Sequence, residues 1–424
     1  MRAVTVAGLA LIGICTVLGT ASAQIPRQPA GLVPASPQPS DLQVRLTPVG
    51  RMPMPMNPTS PVPAGSQLLL VDQVGFIYRW DGTAAVPVLT PRTIPRDVRL
   101  IGQEPLVNVA ASQDGRRVYV MFISSTAPKG VPRRDSPREP DGWYVLYEFA
   151  FDGTTLAMPR PVTALGVRSE GHVGGGLTVL ADGAVLFSPG DNGDSFEDGR
   201  EHAQEPGVHL GKILRIDAAT GMVTVVGLGV RAPQRLITFD QDGQTWLAFA
   251  DPGGWVSEEI DAVRVADLVD GPRAPNFGWG RNRRDGRARE GTFEIDDLGN
   301  SRTRIASPAG PTIDPVAEFG RLDTEPIAVS GPLASRASFS RIVLLFGELV
   351  GGQLYAITDP PGNLRQVVRR VSIVDEQEQS VVLKSLTDNR RPDPRFFTFP
   401  DGTAGVLLEA TGAFYRLTEV APGR

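Results

Sequence analysis

The chain has 424 residues, 42 Lys plus Arg against 47 Asp plus Glu, and a formal net charge of −5. Its charges are interspersed with no basic stripe, which argues against nucleic acid as a partner. Its one cysteine, Cys15, lies in the N-terminal apolar run, so the rest of the chain offers no disulfide, thiolate metal site or cysteine nucleophile.

In chain order, Arg2, an apolar run from Ala3 and the small-residue site Ala21-Ser22-Ala23 predict a signal peptide over residues 1–23, with the mature protein starting near Gln24. An uncleaved anchor is the alternative, but the run is short for a bilayer span. No later segment is apolar for long enough to cross a membrane, so a soluble periplasmic or secreted protein is expected. Residues 24–65 are crowded with proline, including Pro53-Met54-Pro55-Met56, and predict an extended tether ahead of a domain over 66–420.

Beyond the tether, short β-branched and aliphatic runs alternate with turn residues. Leu68–Val71, Val118–Ile123, Trp143–Phe149, Ala184–Phe187, Ile213–Ile216, Trp246–Phe249, Ile342–Phe346, Leu354–Ile357 and Phe414–Leu417 are strand-length. Asp-Gly pairs punctuate them at 81–82, 114–115, 152–153, 182–183, 242–243 and 401–402. Asp-Gly accepts the positive φ of tight hairpin turns. Their loose recurrence predicts an all-β protein of repeated blades, a β-propeller, with a pair of β-sandwiches as the alternative. The best helix signal is Ser257–Ala266, with Glu258, Glu259 and Asp261 near its start.

The chain has only three histidines, His172, His202 and His209. His172 sits in Glu170-Gly171-His172-Val173-Gly174-Gly175-Gly176, where the glycines permit close approach of a ligand to the backbone. After the next strand comes Gly190-Asp191-Asn192-Gly193-Asp194, a surface turn or weak calcium loop if taken alone. A hairpin would return Asp191 toward His172, and a carboxylate on imidazole fixes the tautomer and raises basicity.

These segments fall in a fixed order along the chain. Gly102-Gln103 precedes a strand. His172 with Gly175 and Leu177 leads through Asp182-Gly183 to Gly190-Asp191. Gly211-Lys212-Ile213-Leu214-Arg215-Ile216 follows, then Gly229-Val230-Arg231-Ala232-Pro233-Gln234, and finally Asn276-Phe277-Gly278-Trp279. Taken in this order, they resemble the glucose/sorbosone dehydrogenase family. The resemblance implies a six-bladed propeller of four-stranded antiparallel blades that uses pyrroloquinoline quinone and Ca2+ to oxidise an aldose or related sugar. It implies His172 as general base, Asp191 as its orienter, and Gln103 and Arg231 at cofactor or substrate. The carbonyls of Gly253 and Gly254 would be calcium ligands. The substrate would be a small sugar, with an electron acceptor that the sequence does not name.

The sequence also departs from that pattern. Ala232 replaces an asparagine, and the segment Gly347-Glu348-Leu349-Val350-Gly351-Gly352 lacks the lysine that the family brings to the cofactor. Arg390, Arg391 and Arg395 stand in scrambled order ahead of Pro400-Asp401-Gly402. Either these arginines substitute from shifted positions, or the propeller binds the quinone weakly or not at all. A cofactor-free carbohydrate- or protein-binding module and a calcium-dependent lactonase or hydrolase are therefore the alternatives.

Overall fold

The computed structural model describes residues 36–53, 55–135, 140–167, 171–192, 202–253, 257–279, 283–284, 287–288, 293–295, 301–304, 312–320, 328–362 and 365–421. The expected signal segment 1–23, with Cys15, lies outside the described residues.

After β1 (Gln43–Arg51), the first sheet is a four-stranded antiparallel meander. It comprises β2 (Val62–Ala64), β3 (Gln67–Asp72), β4 (Phe76–Trp80) and β5 (Ala85–Leu89). The second contains β6 (Leu106–Ala111), β7 (Arg117–Ser124), β8 (Arg133–Arg134), β9 (Gly142–Phe151) and β10 (Leu156–Val167), in the order β6-β7-β9-β10-β8. The third is β11 (Gly174–Val179), β12 (Val185–Pro189), β13 (Lys212–Ile216) and β14 (Val223–Leu228).

The fourth begins with β15 (Leu236–Gln241), β16 (Gln244–Asp251) and β17 (Ser257–Arg264). The chain then passes through α1 (Val265–Val269) and two small hairpins. These pair β18 (Arg283–Arg284) with β19 (Arg287–Ala288), and β20 (Phe293–Ile295) with β21 (Ser301–Arg304). It returns as the fourth strand of that sheet, β22 (Ala317–Gly320).

An eight-stranded sheet follows. It holds β23 (Val329–Leu333), β24 (Leu344–Glu348), β25 (Leu354–Ile357), β26 (Arg369–Val374), β27 (Pro394–Thr398), β28 (Ala404–Leu408) and β29 (Ala413–Glu419). The eighth strand is β1, inserted between β26 and β29.

The inner strands touch their neighbours in a ring, β2 to β6 to β11 to β15 to β23 to β27 and back to β2. Radial closure of this kind protects sheet edges and defines a β-propeller rather than paired sandwiches. The core lies between successive sheets: Leu69 and Val71 pack with Val120 and Phe149, Leu146 with Val185 and Phe187, and Phe249 with Phe277. The predicted hairpin turns fall as expected, with Gly82, Gly115, Gly153, Gly183, Gly243 and Gly402 all at positive φ.

Two expectations are corrected. Residues 24–65 are not a tether throughout, because β1 pairs antiparallel with β29 and parallel with β26. Its prolines are tolerated because Pro48 coincides with a register shift between Pro48 and Gly50, where a missing ladder donor costs least. Ser257–Ala266 is not a helix: Ser257–Arg264 is a strand, and only Val265–Val269 is helical. β17 pairs with β16 from Trp246↔Arg264 to Asp251↔Glu259, so sheet completion overrides the local acidic signal.

Candidate functional site

The β11/β12 hairpin brings His172 and Asp191 together. Gly190 N–H donates to the Val173 carbonyl at 3.1 Å, and a Cβ on Gly190 would collide with the His172 carbonyl. Glycine is thus required where the two chain segments cross. His172 and Asn192 both hold left-handed backbone, at φ 47° and 58°. Tyr144 anchors the crossing, donating to the Val173 carbonyl at 2.9 Å and accepting from Asn192 Nδ2 at 3.2 Å. Burial pushes its phenol far above the ordinary range, so it stays neutral.

His172 Nδ1 lies 2.9 Å from Asp191 Oδ1, and Arg231 Nη2 lies 2.6 Å from His172 Nε2. A guanidinium only donates, so Nε2 is the acceptor and Nδ1 carries the hydrogen that Asp191 accepts. Asp191, 1% exposed, receives a second hydrogen bond from Trp279 Nε1 at 2.5 Å. The Arg231 guanidinium also lies 5.1 Å from the centroid of the Trp279 ring. Base, orienter, indole and cation thus form one connected unit.

The backbone around this unit is tied across sheets. Asp191 N–H donates to the Arg231 carbonyl, while Asp251 accepts from the N–H groups of Arg231 and Ala232, all at 2.8 Å. Trp279 is held from behind by Gln204, whose Nε2 donates to its carbonyl at 2.6 Å and which exchanges amide hydrogen bonds with Asn276 at 2.8 and 3.0 Å. The Gln204 loop is stapled by the buried ammonium of Lys212, which donates to the carbonyls of His202 and Leu210. Desolvation brings this lysine down to about 7.

The other predicted residues are distributed around this centre. Gln103 lines a cavity of about 410 Å3 that it shares with Val173, and makes no hydrogen bond among the described residues. Pro252 accepts from Arg231 Nη1 at 3.3 Å, and Gly253 beside it is buried. Gly254 lies outside the described residues. Among the described residues, no group of three or more His, Cys, Asp or Glu side chains is placed to hold a metal. Carbonyl ligands are a separate donor set. In the segment where the resemblance expects a lysine, the Glu348 carboxylate accepts the N–H groups of Val350, Gly351 and Gln353 at 2.8 to 3.0 Å. Arg395 Nη1 donates to Gln234 Oε1 at 2.9 Å and its Nη2 lies 3.2 Å from Asp393, which brings a second cation toward the Arg231 segment.

Trp279, Tyr144 and Asn192 were not predicted as site residues. Trp279 could have been suspected from its place in the Asn-Phe-Gly-Trp turn, whereas nothing local marks Tyr144, 28 residues before His172 in the sequence.

The chain has a β-propeller fold similar to that of sugar dehydrogenases of known structure. It matches the PQQ-bound aldose sugar dehydrogenase of Streptomyces coelicolor at TM-score 0.60 and 18% identity, over 91% of this chain and 100% of that one. It also matches a glucose dehydrogenase-type oxidoreductase of Thermus thermophilus at TM-score 0.57 and 14% identity, over 88% and 99% of the two chains. A further glucose dehydrogenase matches at TM-score 0.57 and 18% identity, over 89% and 99%. No family sequence profile and no curated protein sequence matches the chain.

Proposed function

We propose that the protein is an exported dehydrogenase that oxidises an aldose or related sugar at the anomeric hydroxyl with pyrroloquinoline quinone and Ca2+. The observation that carries this reading is the His172–Asp191 pair with Arg231 at Nε2, set on a propeller of the sugar-dehydrogenase type. The eight-stranded sheet is taken as two four-stranded blades joined through the parallel β26/β1 pair, which completes six blades.

An acidic quinone requires cations, and Arg231 and Arg395 converge on the segment running from Arg231 to Gln234. Arg395 Nε is buried without a partner, which leaves donor capacity for an anion. The residues therefore fit the cofactor in charge, with Arg395 substituting for the missing lysine. Gln103 would bind at the rim, and the carbonyls of Gly253 and Gly254 would hold calcium. When bound, the quinone accepts the hydride from the anomeric carbon.

The protein's own part is the proton. His172 Nε2 takes it from the anomeric hydroxyl once Arg231 turns away, as the carbon–oxygen double bond of the lactone forms. Asp191 stabilises the imidazolium through Nδ1–H, and the Trp279 indole keeps the carboxylate from rotating off the ring. Arg231, released from Nε2, stabilises negative charge developing beside it.

A cofactor-free carbohydrate- or protein-binding module is the second reading, favoured by the missing lysine in the segment Gly347–Leu354. A titration of the purified protein with pyrroloquinoline quinone and Ca2+, followed by dye reduction with a panel of aldoses, separates the two. Saturable binding and sugar-dependent dye reduction that disappears in His172→Ala is the expected result. A folded protein that binds no quinone would overturn the dehydrogenase reading and leave the cofactor-free propeller as the working one.

A further inference from the structure

The ring of inner strands encloses a cavity of about 420 Å3. Ser60, Thr178, Thr238 and Thr398 contribute hydroxyl-bearing side chains to its wall, and among the described residues its only ionisable lining residue is Arg235. Arg235 also borders a smaller void of about 10 Å3 whose wall includes Arg395 and Pro252. Among the described residues, neither cavity has a carboxylate in its lining.

Arg235 is walled by protein while the channel keeps it partly accessible. Its Nε is buried without a hydrogen-bond partner, and no described carboxylate pairs with it. Burial alone, with no opposing charge, pushes the guanidinium down to about 10, so it remains cationic at neutral pH. Several other arginines of the fold are paired: Arg215 with Asp182 at 2.7 Å, Arg160 with Glu148 at 2.9 Å, and Arg395 with Asp393. An enclosed charge with no counter-ion is costly, and a bound ligand of opposite charge removes that cost.

We propose that Arg235 anchors an oxyanion-binding site in the central channel, which takes a small carboxylate- or phosphate-bearing anion on its guanidinium fork. The planar fork matches two oxygens of either group, and the channel hydroxyls supply further polar contacts. The channel lining includes none of His172, Asp191, Arg231 or Trp279, and occupancy of this site needs neither quinone nor calcium.

The test uses the purified full chain in a buffer poor in oxyanions, titrated with inorganic phosphate and, separately, with gluconate as a carboxylate probe. Melting temperature and calorimetric binding are followed for the wild type, Arg235→Gln and Arg235→Lys, with circular dichroism as the check on folding. A saturable rise of a few degrees is expected in the wild type for at least one anion, as mass action requires. The rise should vanish in Arg235→Gln and weaken by ~10-fold in apparent affinity in Arg235→Lys, which keeps the charge and loses the fork. Which probe binds identifies the anion as phosphate-like or carboxylate-like. Without anion, Arg235→Gln should melt at or above the wild-type temperature, because it removes an uncompensated charge. The proposal is overturned if the wild type shows no response up to ~10 mM anion, if either variant responds as the wild type does, or if Arg235→Gln melts well below the wild type in anion-free buffer.

Discussion

Four side chains share one hydrogen-bonding and cation–π unit at the His172 centre, so single substitutions there should differ in kind. His172→Ala removes the proton acceptor and should lower dye-linked turnover by ~10²–10⁴-fold with fold and quinone binding retained. Trp279→Phe keeps the ring over Arg231 but deletes the donor to Asp191. Hydrogen bonds to charged groups contribute about 1.5–3 kcal/mol, so kcat should fall by ~10-fold or more while the affinity for quinone stays near wild type. Comparable loss of affinity would mean that Trp279 shapes the cofactor site instead of orienting the carboxylate. The sequence held the identities of His172, Asp191 and Arg231 as candidates, because glycine-flanked motifs are local. It marked the Asn276–Trp279 turn but not the contact of the indole with Asp191, because the two residues, 88 apart in sequence, meet only in the folded chain.

At the level of elements, the β11/β12 crossing and β1 are the two places where a small change should have a large effect. Gly190→Ala places a methyl group against the His172 carbonyl. Relief requires opening the crossing, so a loss of roughly 1–3 kcal/mol in stability is expected, together with loss of turnover. A denaturant melt and the dye assay on the same preparation check both. Deleting residues 24–51 removes β1 from the middle of the eight-stranded sheet and should lower the melting temperature by more than ~10 °C or prevent folding. A mere tether would leave it unchanged. Proline content concealed β1 because composition reports backbone freedom, whereas strand identity here comes from the partners on either side, β26 and β29. The same reason turned Ser257–Arg264 from an expected helix into a strand.

At the scale of the whole molecule, His209 ties the fold's stability to pH. Its Nε2 lies 2.7 Å from the Gly166 carbonyl and its Nδ1 is buried without a partner, so a second proton would have no acceptor. Desolvation depresses it from 6.5 to about 4. Between those values the unfolded chain binds the proton and the folded chain does not, so stability falls as pH drops from 6.5 toward 4, by at most ~3 kcal/mol from this group. Glu409, raised to about 7 by burial, acts in the opposite direction over an overlapping range. The informative quantity is therefore the difference between wild type and His209→Gln, whose stability should decline less across that range in chemical denaturation at several pH values.

Strand-length apolar runs and Asp-Gly turns by themselves determined an all-β chain of short antiparallel hairpins, since continuous apolar runs and positive-φ turns are local properties. The glycine-flanked His172 and Asp191 were legible for the same reason. Tertiary structure alone decided which strand closes the eight-stranded sheet, which side chain steadies Asp191, and that Arg235 stands without a counter-ion in the central channel. Each of these depends on residues far apart in sequence that meet only when the sheets close radially, and no local pattern records which partner a side chain will find across that ring.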